Sequence, residues 1–289
     1  MSVVSREVSS KGSWLARAGD ELTQAWFIAV KDVQAYYLTP TTVLWALLMP
    51  FAMWSCFVVR EGMTAEFGLA RLLAIITFFT TSSVGPVIIL LERRMRTYDR
   101  LLVAPMSLIT VIVGKSLVGV FFGLAVSLLP LVIGLVAFRV TLASPLLLVV
   151  GLVLSSIVFA ALGTLFASGS AQMPCQVLIP TMLLRWPLLF ISGVFIPLEQ
   201  MAPWMRTLSY LSPLTYAQDL LNHAIVGSSV EGPAVAWLCG LRLCEVTTRE
   251  GLMGGVQSPL LDVAMLLCLM VLFFLPALKL HHRSRRLGY

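Results

Sequence analysis

Apolar residues run in uniform blocks of about 20 along most of this chain, the length a helix needs to cross ~30 Å of hydrocarbon. Such blocks at 41–59, 69–91, 115–138, 146–168, 177–196 and 259–280 predict six transmembrane helices. They lack the period-two alternation of a membrane barrel, so the predicted class is an all-α integral membrane protein. The third run begins near residue 107, too early for one crossing, and is expected to start below the membrane with Lys115 snorkelling to its surface. Within the fourth, Ala160/Thr164 and Gly163/Ala167 set small residues four apart, a face for close helix packing.

Three stretches depart from this plan. In the first, Leu22, Trp26, Ala29, Val33 and Tyr37 form one stripe while Asp20, Gln24, Lys31 and Gln34 face away. This predicts an N-terminal amphipathic helix in the membrane interface; the alternative is an ordinary surface helix packed on the bundle. Thr39-Pro40 ends it, dividing the chain into a segment at 1–40 and a membrane domain at 41–289. The second is 92–107, with Glu92, Arg93, Arg94, Arg96, Asp99 and Arg100 concentrated in nine residues. Leu91, Met95, Tyr98 and Leu102 make one helical stripe there, and Arg93, Arg96 and Arg100 the opposite face, with Pro105 as the stop. The third, 197–258, is aromatic and broken by Pro197, Pro203 and Pro213, a pattern of short helices forming an outer re-entrant hairpin.

Composition agrees: 58% of residues are hydrophobic and 12% charged. Orientation follows from where the Lys and Arg residues fall. With both termini and 92–115 on one side, that side holds 13 of the 20, against six on the other, with Arg185 inside a span. Both termini and the charged segment are therefore expected in the cytosol, and 197–258 outside. No early apolar stretch resembles a cleaved leader. Cys239 and Cys244, on the expected oxidising side, are close enough in sequence for a disulfide without requiring one.

Candidate chemistry is sparse. Gly114-Lys115-Ser116 has the ending of a phosphate-binding loop, but Ile109 stands where that loop needs a glycine. Zinc-protease, Cys-x-x-Cys and serine-hydrolase motifs are missing, so no enzyme and no resident cofactor or metal is expected on this chain. His223, His281 and His282 read as surface residues, and Glu92 and Asp262 as span-edge carboxylates. The second span carries Thr77, Thr80, Thr81, Ser82 and Ser83 ahead of Pro86. These hydroxyls either bond back to the helix or line a polar path, in which Thr81 and Ser82 are central. Arg185, between Pro180 and Pro187, either bonds carbonyls those prolines expose, or faces the dimer cavity with Trp186 as a substrate contact, or snorkels to lipid headgroups.

Two motifs carry a family resemblance. Glu92-Arg93-x-x-x-Thr97-x-x-x-Leu101-Leu102-x-x-Pro105 resembles the cytosolic coupling segment of type-2 ATP-binding-cassette exporter permeases, although Arg96 stands where that family usually has glycine. Ser192-Gly193-Val194-Phe195-Ile196-Pro197-Leu198-Glu199, followed by Pro203-Trp204 and Tyr210-Leu211-Ser212-Pro213-Leu214-Thr215-Tyr216, resembles the family's outer hairpin. The resemblance implies a homodimeric permease in the cytoplasmic membrane that binds two separate cytosolic ATPase subunits, which hold the ATP and Mg. Glu92, Arg93, Arg94, Arg96 and Arg100 would dock the ATPase. Arg185, Trp186, Thr81 and Ser82 would line the substrate path, and Pro197, Trp204 and Tyr216 would close its outer end or anchor in the interface. An amphipathic small molecule, lipid or glycan would be exported; no nucleic-acid partner is expected. The alternatives are a passive channel or ion-coupled carrier, and a scaffold holding a cytosolic complex.

Overall fold

The computed structural model describes residues 23–34, 65–94, 108–140, 142–167, 174–195, 201–226 and 258–286, together with Leu44, Leu48 and Ala52. Regular structure among these residues is helical throughout: α1 (23–34), α2 (Ala65–Arg94), α3 (Leu108–Ala137), α4 (Pro145–Ala167), α5 (Pro174–Ile191), α6 (Pro203–Ser209), α7 (Pro213–Ile225) and α8 (Pro259–Arg286). Four stretches are long and apolar enough to cross a membrane: Gly68–Ile88, Ile109–Ala137, Pro145–Ala167 and Pro259–Leu280. They coincide with the second, third, fourth and sixth expected spans. The fifth corresponds to α5, whose apolar part, Ile179–Ile191, is shorter than a crossing. The first expected span lies outside the described residues apart from Leu44, Leu48 and Ala52, which are helical and exposed.

Helix α2 is the hub, packed against α3, α4, α5 and α7. Its 30 residues extend about 45 Å, longer than the ~30 Å hydrocarbon core, and its apolar stretch ends at Ile88, four residues before Glu92. Pro86 removes a helical N–H and leaves the Ser82 carbonyl without its usual i+4 donor. Hydroxyls steady this stretch by bonding back along the helix: Thr80 Oγ1 donates to Ile76 O at 2.6 Å, and Ser82 and Ser83 Oγ donate to Phe78 O and Phe79 O at 2.5 Å.

At the same level the neighbours come unusually close, and small residues make that approach feasible. A Cβ on Gly163 of α4 would lie 2.5 Å from Ser82 O. One on Gly123 of α3 would collide with Thr81 Oγ1. The small-residue face expected on α4 therefore packs against α2 (Thr164 touches Gly85), and α3 contributes a second such face. From this waist towards the N-terminal end of α2 the apolar core gathers Leu73, Phe78, Phe159, Leu162, Leu189, Leu214 and Leu266, with Phe78 edge-on to Phe159 at 5.0 Å.

Helix α7 is buried on nearly every side, which explains its place in the bundle rather than on its surface. The turn between α3 and α4 caps its end: Ser144 N donates to Ala224 O at 2.9 Å and Ala143 N to Ile225 O at 3.4 Å. Two otherwise orphaned helix-terminal carbonyls are satisfied this way. The turn itself passes through Arg139 at φ 50°.

Candidate functional site

Four charged side chains meet where α1, α2 and α3 come together. Lys31 Nζ lies 2.9 Å from Asp32 Oδ1 and 3.2 Å from Glu92 Oε1. Lys115 Nζ lies 3.6 Å from Asp32 Oδ2 and donates a hydrogen bond to Glu92 Oε2. Glu92 thus accepts from both lysines, while Asp32 approaches both without an aligned hydrogen bond. Asp32, Glu92 and Lys115 are buried and Lys31 is half exposed. Two cations and two anions balance, which makes such burial tolerable. Burial alone would lower the Lys31 ammonium, but Asp32 and Glu92 outweigh it and hold the group above the ordinary lysine value.

Two sequence expectations are corrected at this point. Lys115 does not snorkel to the surface; its ammonium turns inward because two carboxylates await it there. Glu92 does not belong to an exposed docking face, since its carboxylate is fully buried by the same contacts. The buried face of α1 is Ala25, Ile28, Ala29 and Asp32, whereas Trp26 is half exposed, edge-on to Phe121 at 5.2 Å. Helix α1 crosses α3 at Gly114, where a Cβ would meet Ala25 O at 3.0 Å. Asp32 is the residue that reasoning from sequence missed. Its signal was legible: an acid sharing the i, i+4, i+7 face of Ala25 and Ala29 needs a buried cation.

Helix α2 ends at Arg94, so the backbone of Arg93 and Arg94 continues directly from Glu92. Their side chains, and Arg96 and Arg100 entirely, lie outside the described residues, as does Pro197.

A second polar locus lies within the bundle. Arg185 of α5 is 1% exposed, and its Nη1 donates to Ser83 Oγ of α2 at 2.8 Å. Nε and Nη2 find no acceptor among the described residues. The hydrogen bond therefore goes to a neighbouring helix rather than to carbonyls exposed by Pro180 and Pro187. Trp186, one residue on, points elsewhere: it is 45% exposed, edge-on to Phe79 at 5.8 Å and stacked on Phe190 at 6.3 Å. Phe190 in turn stacks on Phe195 at 5.3 Å, which makes an aromatic ladder beside the buried guanidinium. Thr81 and Ser82 are not part of this locus. Both are fully buried where α2 meets α3 and α4.

Two short helices follow α5, as the proline spacing predicts. The connection is fastened by Tyr216 Oη donating to Tyr210 O at 2.7 Å, Thr215 Oγ1 to Ser209 O at 2.7 Å and Gln218 Nε2 to Gly193 O at 3.4 Å. Tyr216 is buried and Trp204 is 66% exposed. His223, expected at the surface, is 2% exposed on α7. Cys239 and Cys244 fall outside the described residues.

Comparison with known proteins adds independent information. Residues 23–226 match the family model described as ABC-2 type transporter. The chain is 25% identical over 155 residues to the probable multidrug ABC transporter permease YbhR of Escherichia coli K12, covering 53% of this chain and 42% of that protein. It is 30% identical over 132 residues to the inner membrane transport permease YadH of the same strain, covering 46% of this chain and 51% of that protein. The chain thus spans about half the length, or less, of these relatives.

Proposed function

Because this chain belongs to the ABC-2 type transporter family, we propose that it is the membrane subunit of an ATP-driven exporter in the cytoplasmic membrane. In this reading two copies pair, and two separate cytosolic ATPase chains hold ATP and Mg and drive transport. Both termini and 92–107 face the cytosol, α1 lies in the membrane interface, and the six-span layout carries the outer hairpin. The observation that carries the proposal is the clasp on Glu92. The helix leading into the basic segment is joined through that one carboxylate to Lys31 beside α1's buried face and to Lys115 of α3. Force applied to 92–107 by a partner then reaches three helices at once instead of bending a loop.

Arg93, Arg94, Arg96 and Arg100 form the docking face, and Glu92 transmits from beneath it. Arg185 supplies substrate recognition. Its two spare donor nitrogens suit a carboxylate or phosphate, and the neighbouring aromatic ladder suits an apolar body. The cargo class is therefore an amphipathic molecule with an anionic group. Its guanidinium is buried against Ser83, so recognition belongs to a conformation in which α5 has separated from α2. The relative named a probable multidrug permease is compatible with such cargo.

Reversing Arg93 and Arg100 together (Arg93→Glu, Arg100→Glu) tests the coupling. The double variant should insert normally yet lose the co-purifying ATPase or lose transport while hydrolysis continues. Normal coupled transport by that variant would reject the docking face. A channel would bring down no ATPase, and a scaffold would bring one down without vectorial transport.

A further inference from the structure

Asp219 and His223 stand four residues apart on α7 and so project from one face of it. Asp262 enters from the first turn of α8, which packs against α7. One potential ligand atom from each of the three side chains lies within 4.8 Å of the other two. Asp262 is 0% exposed, and neither of its carboxylate oxygens has a hydrogen-bond partner among the described residues. A carboxylate buried this way, with a second carboxylate close by, is stabilised either by holding a proton or by a compensating positive charge.

The donor set indicates which charge fits. An imidazole nitrogen with two carboxylate oxygens suits a borderline divalent transition metal, above all Zn²⁺, better than an all-oxygen cation such as Ca²⁺. A divalent ion supplies the positive charge that the unpartnered Asp262 carboxylate lacks, and an imidazole nitrogen and a second carboxylate complete a three-residue shell. Zinc bonds of about 2.0–2.2 Å would draw the ligand atoms closer together than they now stand, within reach of side-chain adjustment. We propose that Asp219, His223 and Asp262 form a Zn²⁺-type site that fastens α7 to α8, with a further coordination position for water. The site requires neither nucleotide nor cargo, and it stands independently of the exporter reading.

The test uses purified full-length protein in detergent, stripped with EDTA and desalted. His281 and His282 are replaced by alanine and the cysteines by serine throughout, which removes competing ligands. Titration with ZnCl₂ against a chromophoric chelator should show one Zn²⁺ per chain. Asp262→Asn and His223→Gln should each weaken binding at least tenfold and abolish the Zn²⁺-dependent rise in Tm. X-ray absorption of the loaded parent should show one imidazole nitrogen among oxygen donors, and this measurement decides the matter if Asp262→Asn does not fold. Absence of one-to-one binding, binding unchanged in both variants, an all-oxygen shell, or preference for Ca²⁺ over Zn²⁺ would overturn the proposal.

Discussion

Glu92 and Lys115 are worth more to each other than a surface ion pair, because neither has water to fall back on. Exposed pairs contribute about 0–1 kcal/mol, whereas removing one member of a buried pair costs about 3–5 kcal/mol through the charge left behind. Glu92→Gln and Lys115→Met should each approach the larger figure in reversible unfolding of the purified protein. Glu92→Leu combined with Lys115→Leu should cost much less than the sum, since Lys31 and Asp32, 2.9 Å apart, remain as a neutral pair. Additive losses would show that the four charges do not act as one unit. Arg185 poses a different question, because its charge is only partly matched. Arg185→Met, which keeps bulk and drops charge, should leave assembly and basal ATP hydrolysis of the complex intact while abolishing substrate-stimulated hydrolysis. Arg185→Lys should retain part of the stimulation for an anionic cargo. A folded Met variant with full stimulation would remove Arg185 from recognition.

Helix α2 shows which features a sequence reveals and which it hides. Its existence and length follow from apolar run length, and the hydroxyls before Pro86 signalled that the helix repairs its own backbone there. The direction of each side chain was less legible, because an apolar helix in lipid has no wet face to set its rotation. Periodicity therefore could not decide whether Thr81 and Ser82 bond back to their own helix or line a path; in the structure Ser82 Oγ donates to Phe78 O and Thr81 Oγ1 is buried facing Gly123. Helix α1 illustrates the same limit, since Trp26 and Ala29 share a stripe by spacing but only Ala29 is buried. Charge placement misled for a related reason: a lysine at a span edge reads as snorkelling unless its counter-charges, distant in sequence, are known. The waist yields a sharp prediction. A side chain at Gly163 must displace the Ser82 carbonyl, so Gly163→Val should cost about 1–3 kcal/mol or more. Gly68→Ala, with nothing within 4 Å of the added carbon, is the control and should cause no loss. Equal tolerance of both changes in a thermal unfolding series would mean that the close approach at 82–163 is not a constraint on the fold.

The clasp and the capped end of α7 lie at opposite ends of α3, and that separation bears on how the protein sits in its membrane. Lys115 marks the clasp, and Ala137 leads into the turn that caps α7. The 22 helical rises from one to the other span about 33 Å, close to one hydrocarbon thickness. The clasp and the capped end of α7 therefore cannot both occupy one interface. In the proposed orientation, with the Lys- and Arg-rich side in the cytosol, the clasp end is cytosolic. The turn at Arg139, the exposed helix α6 and the Asp219–His223–Asp262 cluster then fall at the outer end. Single cysteines test this assignment in a cysteine-free background: Arg139→Cys and Thr207→Cys at exposed positions of the outer end, and Arg100→Cys in the basic segment. With a membrane-impermeant maleimide on intact cells, the first two should label at once and the third only after permeabilisation. The reverse pattern would invert the topology and, with it, the assignment of 92–107 as the ATPase docking segment. Labelling of all three in intact cells would break the link between the length of α3 and a single crossing.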